Sequence, residues 1–339
     1  MYTYLTRIKE VLKYQFHNDE IILLKGNYKE AFLTLLDNNF SIKDSFKEFT
    51  AYDFELFKDH IILTNQKAIL SYSLDLNDSF YNLNTLDYIL HIKGERFNSK
   101  YICYGEVDHL EYYLLIDLKT NKILKKMPVT LGFGFVQLFV SEDLIVSYRS
   151  TKGLIGVFTL DNKEIWQLNI NTIFYTGNES EIKQLKVYKN AIIVASNNGI
   201  SSIDITTGKV NWTTKTYALT IEIVDNIGYA CSSLSLYKIN LDDGTMFDYG
   251  RENASLPNFD YNGKTYWASG YEVVYHDGLL WYRVYDSGKS FVTAINPYDG
   301  YYEWIHCIEE ADKIKSIRFN NNRMYLLDIE DVLHIYEKS

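Results

Sequence analysis

The sequence is poor in residues that staple or break a chain. Of 339 residues, only 3 are cysteine and 3 are proline. Cys103, Cys231 and Cys307 lie far apart, are odd in number and form no CxxC pair. That pattern excludes a disulfide framework and a structural zinc site. The three thiols read as small buried hydrophobes. So few prolines, with 18 glycines, exclude a collagen-like or Pro-rich chain. No apolar run approaches the roughly 18 residues needed to span a bilayer. Runs such as Ala191-Ile192-Ile193-Val194-Ala195 are strand-sized. Excess positive charge is also missing: Lys+Arg is 34 against 44 Asp+Glu, a net charge of −10. This argues against nucleic acid as a partner, because phosphate binding needs a positive field. It suits a basic protein partner, and equally simple solubility. The opening stretch MYTYLTRIKEVLKYQFHNDE has no apolar core and no small-residue cleavage site. A secretory signal is therefore not expected, and a soluble cytoplasmic protein is.

What is present is a repeat. Hydrophobic residues make up 47% of the chain, enough for a large core and too many for disorder. The clearest unit runs from Lys186 to Lys215. One strand ends at Val187-Tyr188, and others cover Ala191 to Ser196, Ile200 to Ile205 and Lys209 to Lys215. The turns between them are Lys189-Asn190, Asn197-Asn198-Gly199 and Thr206-Thr207-Gly208. Short strands rich in Ile, Val, Tyr and Trp, separated by Asn/Gly/Asp turns, make an antiparallel meander.

The first of these turns recurs eight times before an apolar strand. It appears at Phe16-His17-Asn18, Phe57-Lys58-Asp59, Phe97-Asn98, Val140-Ser141, Tyr188-Lys189-Asn190, Val224-Asp225, Tyr275-His276-Asp277 and Phe319-Asn320-Asn321. The period is about 43 residues, the length of one four-stranded propeller blade.

The third turn counts the units independently. Asp204 is followed by Gly208 four residues on and Trp212 four further. Asn296, Gly300 and Trp304 repeat that spacing, and Ser73, Asn77 and Tyr81 echo it. Asp117 and Asn121 lead to Lys125 in place of the aromatic; Asn162 leads to Trp166 through a turn one residue shorter; Asn240 and Gly244 lead to Asp248. Thr34 and Asn38 are the weakest copy. Asp or Asn starts the turn by bonding local backbone, Gly or Asn supplies positive φ, and the aromatic covers the seam between blades. The last unit ends after its third strand, Val332 to Tyr336, while Tyr2 to Arg7 belongs to no unit of its own. Placing that opening strand in the last blade covers two open sheet edges. The expectation is one all-β domain over residues 1–339: an eight-bladed propeller of four-stranded antiparallel blades, closed by the N-terminal strand, with seven blades as the alternative.

The segment Ser202-Ile203-Asp204-Ile205-Thr206-Thr207-Gly208-Lys209-Val210-Asn211-Trp212 resembles the blade signature Ala-x-Asp-x-x-Thr-Gly-x-x-x-Trp of quinoprotein-type β-propellers, the PQQ-like repeats. Ala294, Asn296, Gly300 and Trp304 resemble it at four positions. The resemblance implies the propeller fold, in a family with eight-bladed members. The family holds quinone-dependent dehydrogenases as well as scaffolds without a cofactor. Its cofactor-binding members have adjacent cysteines and calcium-ligating acids at the ring centre. This chain has no adjacent cysteines, so the resemblance implies a non-catalytic member.

Motifs for chemistry do not assemble. Gly288-Lys289-Ser290 and Gly263-Lys264-Thr265 mimic the end of a phosphate-binding loop, but Arg283 and Asn258 stand where its first glycine belongs. Gly132-Phe133-Gly134 lacks a third glycine, and no GxSxG elbow occurs. His17, His60, His91, His109, His276, His306 and His334 form no close ligand pair. Asp242-Asp243-Gly244 lacks calcium-loop spacing and reads as a turn. No catalytic, cofactor or metal residue is assigned.

A binding surface is the remaining expectation. The longest irregular stretch, 250–267, carries Tyr261, Tyr266 and Trp267, which are anchor types for a protein interface. Packing of these rings back onto the seventh blade is the competing reading. Propeller topology places that stretch on the same side as the Glu106-to-Glu111 loop and the segment Asn171 to Glu181. Glu106, Asp108, Glu111, Glu179 and Glu181 would make this side acidic. The leading expectation is a non-enzymatic protein-binding propeller with a basic partner, in concrete form a cytoplasmic immunity protein neutralising a toxin. No membrane or nucleic-acid partner is expected. The alternative is an enzyme acting on a small polar substrate at the central channel.

Overall fold

A computed structural model describes residues 2–27, 30–48, 51–57, 60–65, 68–73, 79–84, 95–97, 100–107, 110–117, 122–128, 136–139, 141, 143–149, 152–161, 163–174, 179–232, 235–249, 258–267 and 272–339. Among these residues the chain forms eight four-stranded sheets and one two-stranded hairpin. The first sheet takes Val11–His17, Glu20–Asn27, Glu30–Leu36 and Ile42–Glu48 in chain order, paired antiparallel. Sheets two to seven follow the same rule over 51–84, 95–128, 136–169, 182–214, 220–248 and 273–308. Sheet eight takes Ile314–Asn320, Arg323–Asp328 and Leu333–Lys338, and its fourth strand is Tyr2–Ile8. The opening strand thus lies beside the last one, as the unit count required.

The chain packs as two compact units, residues 8–147 with 159–163, and residues 1–7, 148–158 and 164–339. In the first unit Ile22, Leu24, Leu33, Phe54, Ile61 and Leu63 make one buried cluster. In the second, clusters form between consecutive sheets, as where Ile193, Ala195 and Trp212 meet Ile221, Ala230 and Ile239. A central strand covered on both faces needs apolar residues at every position. Ala191–Ser196 is buried along its whole length for that reason. Each Ile or Val so placed contributes about 1.5–3 kcal/mol.

Five copies of the recurrent first turn share one conformation. Asn18, Lys189, Asp225, Asp277 and Asn321 all take positive φ, between 50° and 53°. His17 pairs with Glu20 and Tyr188 with Ala191, which leaves a two-residue loop in each case. Such loops need left-handed backbone, where Asn and Asp are tolerated best.

The third turn locks neighbouring sheets together. Trp166, on the fourth strand of sheet four, lies on Gly208 of sheet five and donates its indole N–H to the Ile205 carbonyl at 2.7 Å. Trp212 repeats this on Gly244 of sheet six, donating to the Leu241 carbonyl at 2.9 Å. A Cβ on Gly244 would stand 2.7 Å from the Trp212 ring, and its φ is +77°. Glycine is therefore required twice, for the turn and for the ring above it.

Between sheets six and seven the ring is Tyr249, which sits on Gly300 and donates to the Pro297 carbonyl. The motif spacing pointed to Asp248, and the structure moves the role by one residue. In sheet five a bulge falls between Ser202↔Trp212 and Ile203↔Val210. Sheet six has no such bulge: Lys238 pairs with Phe247 and Ile239 with Met246. Losing one bulge residue flips every later side chain on that strand to the other face. Tyr249 then points at the neighbouring sheet, and Asp248 does not. Between sheets three and four, Lys125 reaches Asp161 in the corresponding turn and makes an ion pair with it.

Sheet eight has no third turn, because its fourth strand comes from the other end of the chain. Tyr2 fills the place. It is 5% exposed and meets Trp281 edge-on at 5.4 Å and Trp304 at 6.3 Å.

Candidate protein-interaction surface

Each sheet in the unit containing 164–339 has two ends. One end, here the turn side, carries the first and third turns of each sheet. The other, the link side, carries the second turn and the links between sheets.

On the link side, the stretch read as irregular is partly ordered. Asn258–Tyr261 and Lys264–Trp267 form a hairpin with Asn262 and Gly263 at its tip, both at positive φ. Residues 250–257 lie outside the described residues. Alternation along these short strands sends Phe259 and Tyr266 inward. Tyr266 is 4% exposed and sits 4.6 Å from Phe291, and half-buried Tyr261 meets Phe291 at 5.4 Å. Tyr266 therefore packs onto sheet seven and presents no surface for a partner. Trp267 is 60% exposed, and its backbone N–H donates to Asp286 at 3.0 Å. The hairpin thus holds one indole outward on a pinned backbone.

The link between sheets four and five is clasped by the Asn197-Asn198-Gly199 turn. Asn197 accepts from the Glu181 N–H at 2.7 Å and donates to the Glu179 carbonyl at 3.2 Å. Asn198 donates to the Ser180 hydroxyl at 2.9 Å. Phe174 is buried over Gly199, where a Cβ would come within 2.2 Å of its ring. Glu179 is exposed, while Glu181 is paired with Lys183 at 2.6 Å. Glu106 and Glu111 are backbone register partners in the hairpin of Lys100–Val107 and Leu110–Asp117 in the other unit. Asp108 lies outside the described residues. The structure therefore gathers Tyr261, Tyr266 and Trp267 on one hairpin and Glu179 and Glu181 on one link.

Opposite charges meet between the first strands of sheets five and six and of sheets one and two. Lys186 of sheet five lies 3.9 Å from Glu222 of sheet six. Arg318 of sheet eight bonds Glu272, just before sheet seven, at 2.9 Å, and Arg283 approaches the same carboxylate at 4.0 Å. Burial pushes the Glu222 carboxyl above its ordinary pKa, against the opposing pull of Lys186 and Arg318. Lys13 and Glu55 pair at 2.8 Å on the first strands of sheets one and two. There Gln15 also bonds the edge of the neighbouring strand, donating to the Phe54 carbonyl and accepting from the Leu56 N–H. Motif reading missed this network, because its members lie about 40 residues apart and only the repeat register aligns them.

Other reactive side chains serve packing. Cys231 and Cys307 are buried and form no disulfide, and burial pushes the Cys231 thiol up to about 12. His276 stacks on Phe319 at 4.1 Å, and burial lowers its pKa. His334 is fully buried and bonds the Asp328 carboxylate at 2.9 Å. Among the described residues no three His, Cys, Asp or Glu side chains converge as a metal site. Among them too, no helix is long and apolar enough to cross a membrane.

No protein-family model matches the sequence, and no curated protein does. Solved structures match the fold. BamB from Moraxella catarrhalis superposes with a TM-score of 0.67 at 11% identity, over 99% of this chain and 100% of that one. The C-terminal WD40 domain of Sif2 gives 0.71 at 10% identity, over 100% and 99%. The WD40 domain of Neurospora crassa Pan2 gives 0.55 at 9%, over 99% and 95%. The fold is that of the β-propellers.

Proposed function

We propose that this chain is a non-enzymatic, protein-binding β-propeller, related in its repeat to the quinoprotein-type propellers. Its eight sheets are read as the eight blades of one ring, with Tyr2–Ile8 completing the last blade. Trp267 carries the functional reading: it is 60% exposed on a hairpin pinned through Asp286 and through Tyr266 on Phe291. A large, rigid, exposed indole is the side chain that most often anchors a protein interface. The net charge of −10 supports a basic partner and a role without nucleic acid or membrane. The concrete form of this reading is a cytoplasmic immunity protein that neutralises a toxin.

Affinity purification from the native cell is the test. The expected result is a protein partner recovered in stoichiometric amount, and lost with Trp267→Ala while the variant's thermal unfolding is unchanged. Recovery of no partner would overturn the scaffold reading. Recovery unaffected by Trp267→Ala would move the interface elsewhere.

A further inference from the structure

The third turns of sheets five, six and seven are built alike, and only one of them spends aromatic residues on its surface. Asp204 caps the first, accepting from the N–H groups of Thr206 and Thr207 at 3.0 and 2.8 Å. Asn240 caps the second, accepting from the Asp242 N–H at 3.0 Å. Asn296 caps the third, accepting from the Tyr298 N–H at 2.9 Å. Gly208, Gly244 and Gly300 then follow with φ of 69°, 77° and 75°. Position by position, Thr206 and Asp242 correspond to Tyr298, and Lys209 and Thr245 correspond to Tyr301. The turn therefore folds with small or polar residues at both places. Yet Tyr298 is 84% exposed and Tyr301 is 56% exposed. Nothing in the turn's own bonding calls for either ring.

The surroundings of Tyr298 say what it suits. The Lys238 ammonium already lies 5.7 Å from its ring centroid, so the ring holds a cation in this setting. Asp299, next in the turn, is exposed, and so is Asp225 on the first turn of sheet six. Lys238 belongs to sheet six, whose first and third turns carry Asp225 and Asp243 at the same end of the sheet. Asp243 lies exposed on the adjoining third turn. Lys238 is the one described cation in contact with the ring, and Asp225, Asp243 and Asp299 are exposed on the turns of sheets six and seven.

We infer that the turn side of sheets six and seven, centred on Tyr298 with Tyr301, Asp225 and Asp299, is a docking surface for an arginine- or lysine-bearing segment of a partner protein. It lies at the end of these sheets opposite Trp267. The inference rests on the protein-binding reading above and names the chemistry of the partner.

The test uses the full chain and a short peptide alternating arginine with glycine, followed by fluorescence anisotropy, with a glutamate–glycine peptide as control. The wild-type chain is expected to bind the basic peptide, more weakly as salt rises, and to ignore the acidic one. Tyr298→Thr, which installs the residue used at the same place in sheet five, should weaken binding about two- to fivefold without changing thermal unfolding. Asp299→Asn should weaken it and flatten its salt dependence. Equal binding by wild type and Tyr298→Thr would overturn the assignment, as would no binding of the basic peptide. Concentration-dependent dimerisation lost in Tyr298→Thr would overturn it too, by giving the surface to a second copy of the chain. A native partner whose recovery ignores Tyr298 would sink this surface and leave the scaffold reading standing.

Discussion

Between sheets five and six, the fourth strand sends Trp212 onto Gly244 of its neighbour; between sheets three and four, the same strand position sends Lys125 to Asp161. The aromatic seam excludes water, buries a ring that is 9% exposed and ties its N–H to a main-chain carbonyl. It demands glycine beneath it. The ionic seam leaves the Asp161 side chain 87% exposed. It makes no demand for glycine, and water and salt screen it. One topological position is therefore filled by two unlike interactions, and they should differ in strength, in tolerance of substitution and in response to pH.

The largest effect that would sharpen this contrast is expected from Trp212→Ala, at about 3–5 kcal/mol lost in urea unfolding. A loss under 1 kcal/mol would break it. Gly244→Ala comes next, at about 1–3 kcal/mol, because the methyl meets the ring and the backbone is left-handed. Tyr249→Phe removes only the bond to Pro297, so about 1 kcal/mol is expected, read from the same unfolding curves.

Lys125→Met should have the smallest effect, and one with a distinct pH signature. The Lys125 ammonium holds the Asp161 carboxyl below its ordinary pKa. A lowered folded-state value means stability that is present above the unfolded pKa and lost as pH falls through the folded one. The difference in melting temperature between wild type and Lys125→Met should thus hold from neutral pH to about pH 5 and shrink below about pH 4. The Trp212→Ala difference should persist in acid. Thermal melts across that range, at low and high salt, separate the two seams.

Much of the scaffold was legible because its turns are local. Asp204, Gly208 and Trp212 sit within one hairpin, and their spacing follows from hydrogen bonds a few residues long. Tyr249 was not legible, because its role depends on a bulge absent from sheet six, and a missing bulge leaves no mark in composition. The hairpin of Asn258–Tyr261 and Lys264–Trp267 was read as irregular because each strand has only four residues. Which of its rings turned outward needed coordinates: Tyr266 and Trp267 are adjacent, and alternation sends them to opposite faces. Tyr298 went unremarked for a different reason. The motif accounted for Asn296, Gly300 and Trp304 around it, and exposure is a property of the folded surface alone.

Sheet eight joins residues from opposite ends of the chain, with Thr3 bonding the carbonyl of Glu337. During synthesis Tyr2–Ile8 is made long before Leu333–Lys338, and its edge waits unpaired until that strand follows. Every other sheet can zip as soon as its own four strands are free. Completion of this one waits for residues 333–338, and a polypeptide cut short before them would present a bare sheet edge to its neighbours in the cell.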